Sequence, residues 1–411
     1  MSSILQSDMC LFLEGNKLNN EATDTSSFAS ERSLPENISN IYTPFVCLRG
    51  TRGIGKTHEL IRLGQRISTH CKQGRVLYVS LNQFYFANHS LYSFALEAWA
   101  NGVSVLLLDQ IFKYPNWATE LLRCYDDLPG LQIIFSTSSV MTLEEDYPEL
   151  KGLVTVLDLY GFSFRQYLNH HYDLNIPTYT LEELTERKEH IYSRIFSKVP
   201  IKEAFDNYLR CGYYPPSDGE LSLFGERLVK NMNMLLEVDL VYIRQIAPTY
   251  LPKLRQLLYL IGQQKGGGTN VSALSNDVGV SRATIMNYLK YLSDARLIRL
   301  LYKEGGAYPK KPDKVFLNDS NILAHIEEED NRDLLLHSRT FLISACQDAG
   351  LTINLSDERG IDFIVDQKYK VRCQPGEEKR RLKLMSTINA TCEVTSTSNR
   401  DFPIWLFGLL Y

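Results

Sequence analysis

The sequence predicts an α/β P-loop-type fold: a parallel sheet flanked by helices, then a helical and winged-helix region, then a small α+β domain. Three observations predict it. Apolar runs at Phe45–Leu48, Val76–Leu81, Val103–Leu108 and Leu131–Phe135 are continuous rather than alternating, as strands covered on both faces require. Stretches with helical spacing, such as Glu59–Ile67 and Leu91–Ala100, separate them, and strands alternating with helices make parallel crossovers. The glycine-rich stretch Gly50–Thr57 falls directly between the first run and the first helix.

Taken in order, the first 43 residues are rich in Asn, Ser, Thr and Glu after Gly15 and read as a flexible leader. The α/β core occupies 44–160, with Leu153–Leu159 as a fifth strand. A mostly helical region, opened by Ser163–His171, fills 161–250. Residues 251–318 have the outline of a winged helix-turn-helix: Lys253–Gln264, Ser272–Val278 and Ser281–Ala295 as helices, then Leu297–Leu301 and a basic hairpin. The remainder, 319–411, mixes a helix at Leu334–Asp348 with short strands at Leu351–Leu355, Ile361–Val365 and Trp405–Leu409.

Composition bounds the function. A chain of 411 residues holds two to four domains of roughly 100–200 residues each. At 44% hydrophobic and 22% charged it is neither disordered nor fibrous. With 44 basic and 48 acidic residues the net charge is −4, so any nucleic-acid surface must be local. The eight cysteines form no CxxC pair and no zinc-like cluster with the eight histidines, which reads as reduced thiols in a cytoplasmic protein. The N-terminus has no basic n-region followed by an apolar one, and no run approaches the ~18 apolar residues of a membrane span, so no membrane partner is expected.

The strongest chemical signal is Gly50-Thr51-Arg52-Gly53-Ile54-Gly55-Lys56-Thr57, which satisfies GxxxxGK[ST]. Glycines let the backbone wrap a phosphate with its N–H groups inward, and the following helix turns its positive end toward the same anion. Lys56 then reaches the β- and γ-phosphates of ATP, and Thr57 offers its hydroxyl to Mg²⁺. Asp109, closing the run from Val103, is the second metal-side group. The next residue is Gln110, whose amide can orient water but cannot accept its proton. Ser136-Thr137-Ser138-Ser139 ends the following strand, with Ser138, then Ser136, as candidate contacts to the γ-phosphate or the lytic water.

With these residues placed, the chain from about Phe45 to Asp366 resembles the prokaryotic AAA+-superfamily predicted ATPases that carry a winged helix and a C-terminal restriction-endonuclease-like domain. The resemblance rests on the glycine-rich motif, Val76-Leu77-Tyr78-Val79-Ser80, Leu108-Asp109-Gln110-Ile111, Gly161-Phe162-Ser163-Phe164-Arg165-Gln166-Tyr167, Tyr208–Pro215, Ser281–Thr284 and Lys311–Leu317. It implies ATP binding and makes the 161–250 region a helical lid. The chain departs from the family pattern at Gln110, where an acid is usual, and at Leu150-Lys151-Gly152, where an arginine is usual. In the endonuclease-like part Asp362 is present, but the second metal carboxylate is replaced near Arg372, so that domain reads as a degenerate nuclease and Asp362 as a solvated turn acid.

The expected function is therefore an ATP-binding, Mg²⁺-dependent switch with slow or partner-stimulated hydrolysis. The alternative is a DNA-binding winged-helix protein with a vestigial nucleotide site, for which Arg282, Lys290, Arg296, Arg299, Lys303, Lys310, Lys311 and Lys314 supply local positive charge. A protein partner and self-association stay open.

Overall fold

Runs of Val, Ile, Leu and Phe without polar alternation become strands buried on both faces, because only a sheet covered by helices removes every second side chain from water as well as the first. They are β2 (Phe45–Gly50), β3 (Arg75–Ser80), β4 (Val103–Asp109) and β5 (Gln132–Ser138), joined by β6 (Val154–Asp158), which is half-buried along its length, and preceded by β1 (Cys10–Leu13). The computed structural model describes residues 10–13, 43–70, 75–215, 223–264, 271–328, 333–374, 387–391 and 401–411. The chain divides into two compact units, Met1–Tyr160 and Gly161–Tyr411.

In the first unit the strands lie in the order β1-β3-β4-β5-β2-β6, with β2 to β6 all parallel. Helices α1 (Lys56–His70), α2 (Leu91–Ala100) and α3 (Trp117–Asp127) make the crossovers. The Ser90 hydroxyl caps α2 by accepting from the Ser93 N–H, and Leu91, Phe94, Ala95 and Ala98 form its buried stripe. Because β2 sits between β5 and β6 while the chain next returns at β3, the sheet has a switch point beside β2. Ligands of open α/β sheets bind outside the carboxyl ends of strands at such a point. The register sets those ends side by side, Gly50 opposite Ser138 and Ser80 opposite Asp109.

Part of the expected 1–43 leader is a strand. Cys10–Leu13 pairs antiparallel with β3, Cys10 opposite Val79 and Leu13 opposite Val76. An uncovered β3 would present a row of unpaired backbone groups, and a short edge strand blunts that liability. Residues 1–9 and 14–42 lie outside the described residues.

The second unit begins with the helix Phe164–Tyr172, closed by a capping box between Ser163 and Gln166. Helices Leu251–Gly262, Val271–Val278 and Arg282–Asp294 follow, then β7 (Ile298–Leu301) and β8 (Lys314–Leu317) as an antiparallel ribbon. After helices Ser320–Ile326 and Leu334–Asp348 comes a sheet in the order β13-β12-β11-β10-β9, made of β9 (Ile353–Leu355), β10 (Phe363–Val365), β11 (Tyr369–Gln374), β12 (Thr387–Thr391) and β13 (Asp401–Pro403). It is antiparallel from β9 to β11 and parallel beyond. The run Trp405–Leu409, expected as a strand, is a helical turn from Ile404 to Leu409 with every residue buried. A short, wholly apolar run satisfies either conformation, and here the close pass of Gly408 to Phe164 accompanies the turn: a Cβ at Gly408 would lie 2.5 Å from that of Phe164.

Hydrogen bonds cross the boundaries expected at 250 and 318. The Tyr213 N–H donates to Asn321 Oδ1 at 2.8 Å, and Arg299 Nη2 donates to both oxygens of Asp348 at 2.8 and 3.1 Å. Asp348 also accepts from the Tyr213 hydroxyl at 2.9 Å and the Tyr411 hydroxyl at 3.4 Å. Burial alone would lower the Arg299 pKa, but Asp348 beside it more than compensates and holds it up. The backbone oxygen of Tyr411 accepts from Ser163 Oγ at 2.5 Å and Arg165 Nε at 2.9 Å, and its hydroxyl lies 3.5 Å from the Gly161 carbonyl.

Cys10, Cys47, Cys124, Cys211, Cys346 and Cys373 are unbridged, while Cys71 and Cys392 lie outside the described residues. Among the described residues no helix is long and apolar enough to cross a membrane.

Candidate functional site

Backbone sterics explain the glycines between β2 and α1. A side chain at Gly50 would collide with Ile54 and come within 2.7 Å of the Leu159 carbonyl oxygen. Gly53 and Gly55 take φ of 83° and 85°, open to glycine without the Cβ penalty. Ile54 is fully buried and anchors the loop from beneath, with Thr51 buried and Arg52 half-buried beside it. Lys56 reaches back across the loop and donates from Nζ to the Thr51 carbonyl at 2.7 Å. The loop thus runs into the N-terminus of α1, where helix N–H groups have no partner within the helix. Glycine backbone, helix N-terminus and lysine together suit a phosphate.

The second half of the site is Asp109, only 2% exposed at the end of β4. Its Oδ2 accepts from Thr57 Oγ1 at 2.8 Å and from the Tyr78 hydroxyl at 3.2 Å. Its Oδ1 accepts from the Ser136 hydroxyl and from the Gln110 N–H at 3.1 Å. Each of these donors is neutral, and among the described residues no lysine, arginine or histidine forms an ion pair with Asp109. Burial first, then the charge and hydrogen bond of Asp109, push the Tyr78 pKa up, so the phenol remains a donor.

Gln110 adopts a left-handed conformation, φ 57° and ψ 50°. Such a conformation costs a residue with a Cβ roughly 1–2 kcal/mol. The cost is met by its N–H, which is shared between Asp109 Oδ1 and Ser136 Oγ, the latter at 2.9 Å. Its side-chain amide is half-buried and makes no hydrogen bond to a described residue.

Of the hydroxyls ending β5, Ser136 meets Asp109, and Ser138 faces Gly50 across the strand pair with its Oγ 3.5 Å from the Val140 N–H. Ser139 donates its N–H to the Gly50 carbonyl at 3.0 Å, while its buried hydroxyl has no partner among the described residues. The sequence alone includes Ser139 in the hydroxyl stretch Ser136–Ser139 but favours Ser138, then Ser136, and it gives Tyr78 no role. Tyr78 was visible only as one letter of a strand, since its reach to Asp109 depends on the β3–β4 register.

The residues fit a magnesium ion. Among the described residues no three His, Cys, Asp or Glu cluster as a protein cage would require. Mg²⁺ keeps most of its octahedral shell as water and needs few protein oxygens. Thr57 and Asp109 bring two oxygens side by side next to the loop, and Ser139, whose N–H donates to the Gly50 carbonyl, carries a buried hydroxyl with no partner among the described residues.

Two expectations for the second unit change. Asp362 is no solvated turn acid: Oδ1 accepts from Arg339 Nη2 at 2.6 Å and Oδ2 from the Cys373 N–H at 2.9 Å, because β10 and β11 bring that edge against the Leu334–Asp348 helix. The basic segment is also less free than its letters suggest. Arg299 is buried on Asp348, Lys290 pairs with Asp294 at 2.7 Å, and Lys303 pairs with Asp357.

Comparison with known proteins bears on the first unit most directly. Residues 42–168 match the family model of an AAA domain. The first unit is thus similar to an AAA domain. The residues around the glycine loop and Asp109, from Gly50 to Ser139, all fall within the matched stretch. Residues 202–333 match a domain of unknown function, DUF8612. The uncharacterized protein MJ1637 of Methanocaldococcus jannaschii is 26% identical over 282 residues, 65% of this chain. The chain spans 59% of the length of that relative. Among solved structures, AMPPCP-bound DnaA from Aquifex aeolicus aligns at 15% identity and a TM-score of 0.25, over 63% of this chain and 84% of its own. A chain of the E. coli MS115-1 HORMA:CdnC:Trip13 complex aligns at 15% identity and a TM-score of 0.27, over 50% and 73%.

Proposed function

We propose that the AAA domain binds ATP with Mg²⁺ and that the chain acts as a nucleotide-dependent switch, hydrolysing ATP slowly or on contact with a partner. The observation that carries this reading is the 2.8 Å hydrogen bond from Thr57 to Asp109, which ties the glycine loop after β2 to the end of β4. The loop glycines and α1 N-terminus receive the phosphates, and Lys56 leaves the Thr51 carbonyl to meet them. Thr57 and Asp109 would hold Mg²⁺, which would supply positive charge to offset that of the phosphates. Gln110 orients a water without taking its proton, the chemical reason for slow turnover. Ser138 and Ser139 offer hydroxyls to the γ-phosphate side.

In calorimetry, Lys56→Ala should weaken ATP binding by at least about tenfold, the loss of a charged hydrogen-bond donor from the phosphates. Unchanged affinity would remove the nucleotide site altogether. Gln110→Glu, which restores a base, should raise steady-state ATP hydrolysis, and a rate no higher than wild type would place the limiting step elsewhere.

The DNA-binding reading is less well supported. Arg282, Lys310 and Lys311 are exposed, but Arg299 is buried on Asp348, and Asp294 and Asp357 offset the charges of Lys290 and Lys303. ATP turnover measured with and without duplex DNA tests it.

A further inference from the structure

We infer that the Tyr78 hydroxyl holds the place of a metal-bound water on Asp109, so that Tyr78 sets the affinity of the site for its divalent cation by competing with it. The inference rests on the nucleotide-site reading above and deepens it. Its basis is a count of lone pairs. A carboxylate offers about four lone-pair sites, two on each oxygen. Asp109 spends all of them on protein: Thr57 and Tyr78 on Oδ2, Ser136 and the Gln110 N–H on Oδ1. A cation whose shell is mostly water needs one of those lone pairs for a bound water.

The four donors are not equally replaceable. The Gln110 N–H is fixed by the backbone, and Ser136 is joined both to Asp109 and to that N–H. Thr57 can keep its bond to Asp109 while offering a lone pair to the metal, because a hydroxyl donates and accepts at once. Tyr78 makes the longest of these contacts at 3.2 Å, and it does so on Oδ2, the oxygen nearest Thr57. Its phenol stands on β3, outside both the glycine loop and α1, so giving up this bond disturbs neither. A buried carboxylate without a cation is costly unless every lone pair is used. Tyr78 supplies the last donor until the metal does.

The test is calorimetric titration of a non-hydrolysable ATP analogue into the full chain, once with Mg²⁺ and once with EDTA. The ratio of the two affinities is the coupling between metal and nucleotide. Tyr78→Phe keeps the ring and removes the competitor, so the ratio should rise about threefold to tenfold, the equivalent of one hydrogen bond. Affinity in EDTA should stay at the wild-type value, because the Tyr78 bond persists through metal-free binding. Tyr78→Met, which fills the space without a donor, carries the same expectation if the Phe variant does not fold. A ratio that is unchanged or falls overturns the inference, the first assigning Tyr78 to packing and the second to holding Asp109 for the metal. Lys56→Ala run alongside separates the two readings: if it binds the analogue as wild type does, the nucleotide site itself has failed and the inference falls with it.

Discussion

Two buried carboxylates, one in each unit, are held by opposite means. Asp348 closes the Leu334–Asp348 helix and takes its principal contacts from Arg299, with the hydroxyls of Tyr213 and Tyr411 completing its surroundings. Asp109 closes β4 and is held by three hydroxyls and one backbone N–H. Both accept from tyrosine, and both lie out of water. The difference is the cation. A carboxylate that carries its own arginine has its charge balanced within the fold and nothing left to offer a ligand. One held by neutral donors has no partner cation of its own among the described residues, and a metal is the group that can supply one.

The largest effect should come from breaking the balanced pair. Arg299→Met leaves Asp348 buried and uncompensated and should destabilise the chain by about 3–5 kcal/mol in urea unfolding, whereas replacing both partners by apolar residues recovers much of that. At Asp109 the same kind of change should do far less to stability. Asp109→Asn keeps one oxygen for the Gln110 N–H, and the hydroxyls of Thr57 and Tyr78 can turn from donating to accepting, so the change should stay within about 1 kcal/mol. The same variant should abolish the Mg²⁺-dependent part of nucleotide binding in calorimetry. If instead it unfolds the protein as readily as Arg299→Met does, Asp109 is a structural acid and the contrast between the two collapses.

Much of this was readable in the sequence, and what was not shares one cause. Strands buried on both faces announce themselves by unbroken apolar runs, and the Leu91–Ala100 helix appears with the bounds its spacing predicts. Gly50–Thr57 and Asp109 could be paired because their residue types and strand context imply one another. Local pattern says nothing, however, about which distant group a side chain meets. Arg299 counted as basic surface, yet its partner lies on a helix that begins at Leu334. Tyr78 looked like any β-strand aromatic, since the register that aims it at Asp109 is a property of two strands. Cys10–Leu13 lies in the expected 1–43 leader, just before the polar stretch from Gly15, and the bare edge of β3 explains why it pairs. Trp405–Leu409 failed for the remaining reason, that five apolar letters fit a strand and a helical turn equally.

The contacts of Tyr411 carry one more consequence. Its backbone oxygen rests on Ser163 and Arg165, and its hydroxyl lies against the Gly161 carbonyl, so the second unit returns to the point at which it starts. Tension pulling Gly161 and Tyr411 apart would load these contacts together with the buried turn Ile404–Leu409, whose Leu409 carbonyl accepts from the Tyr179 N–H at 3.1 Å.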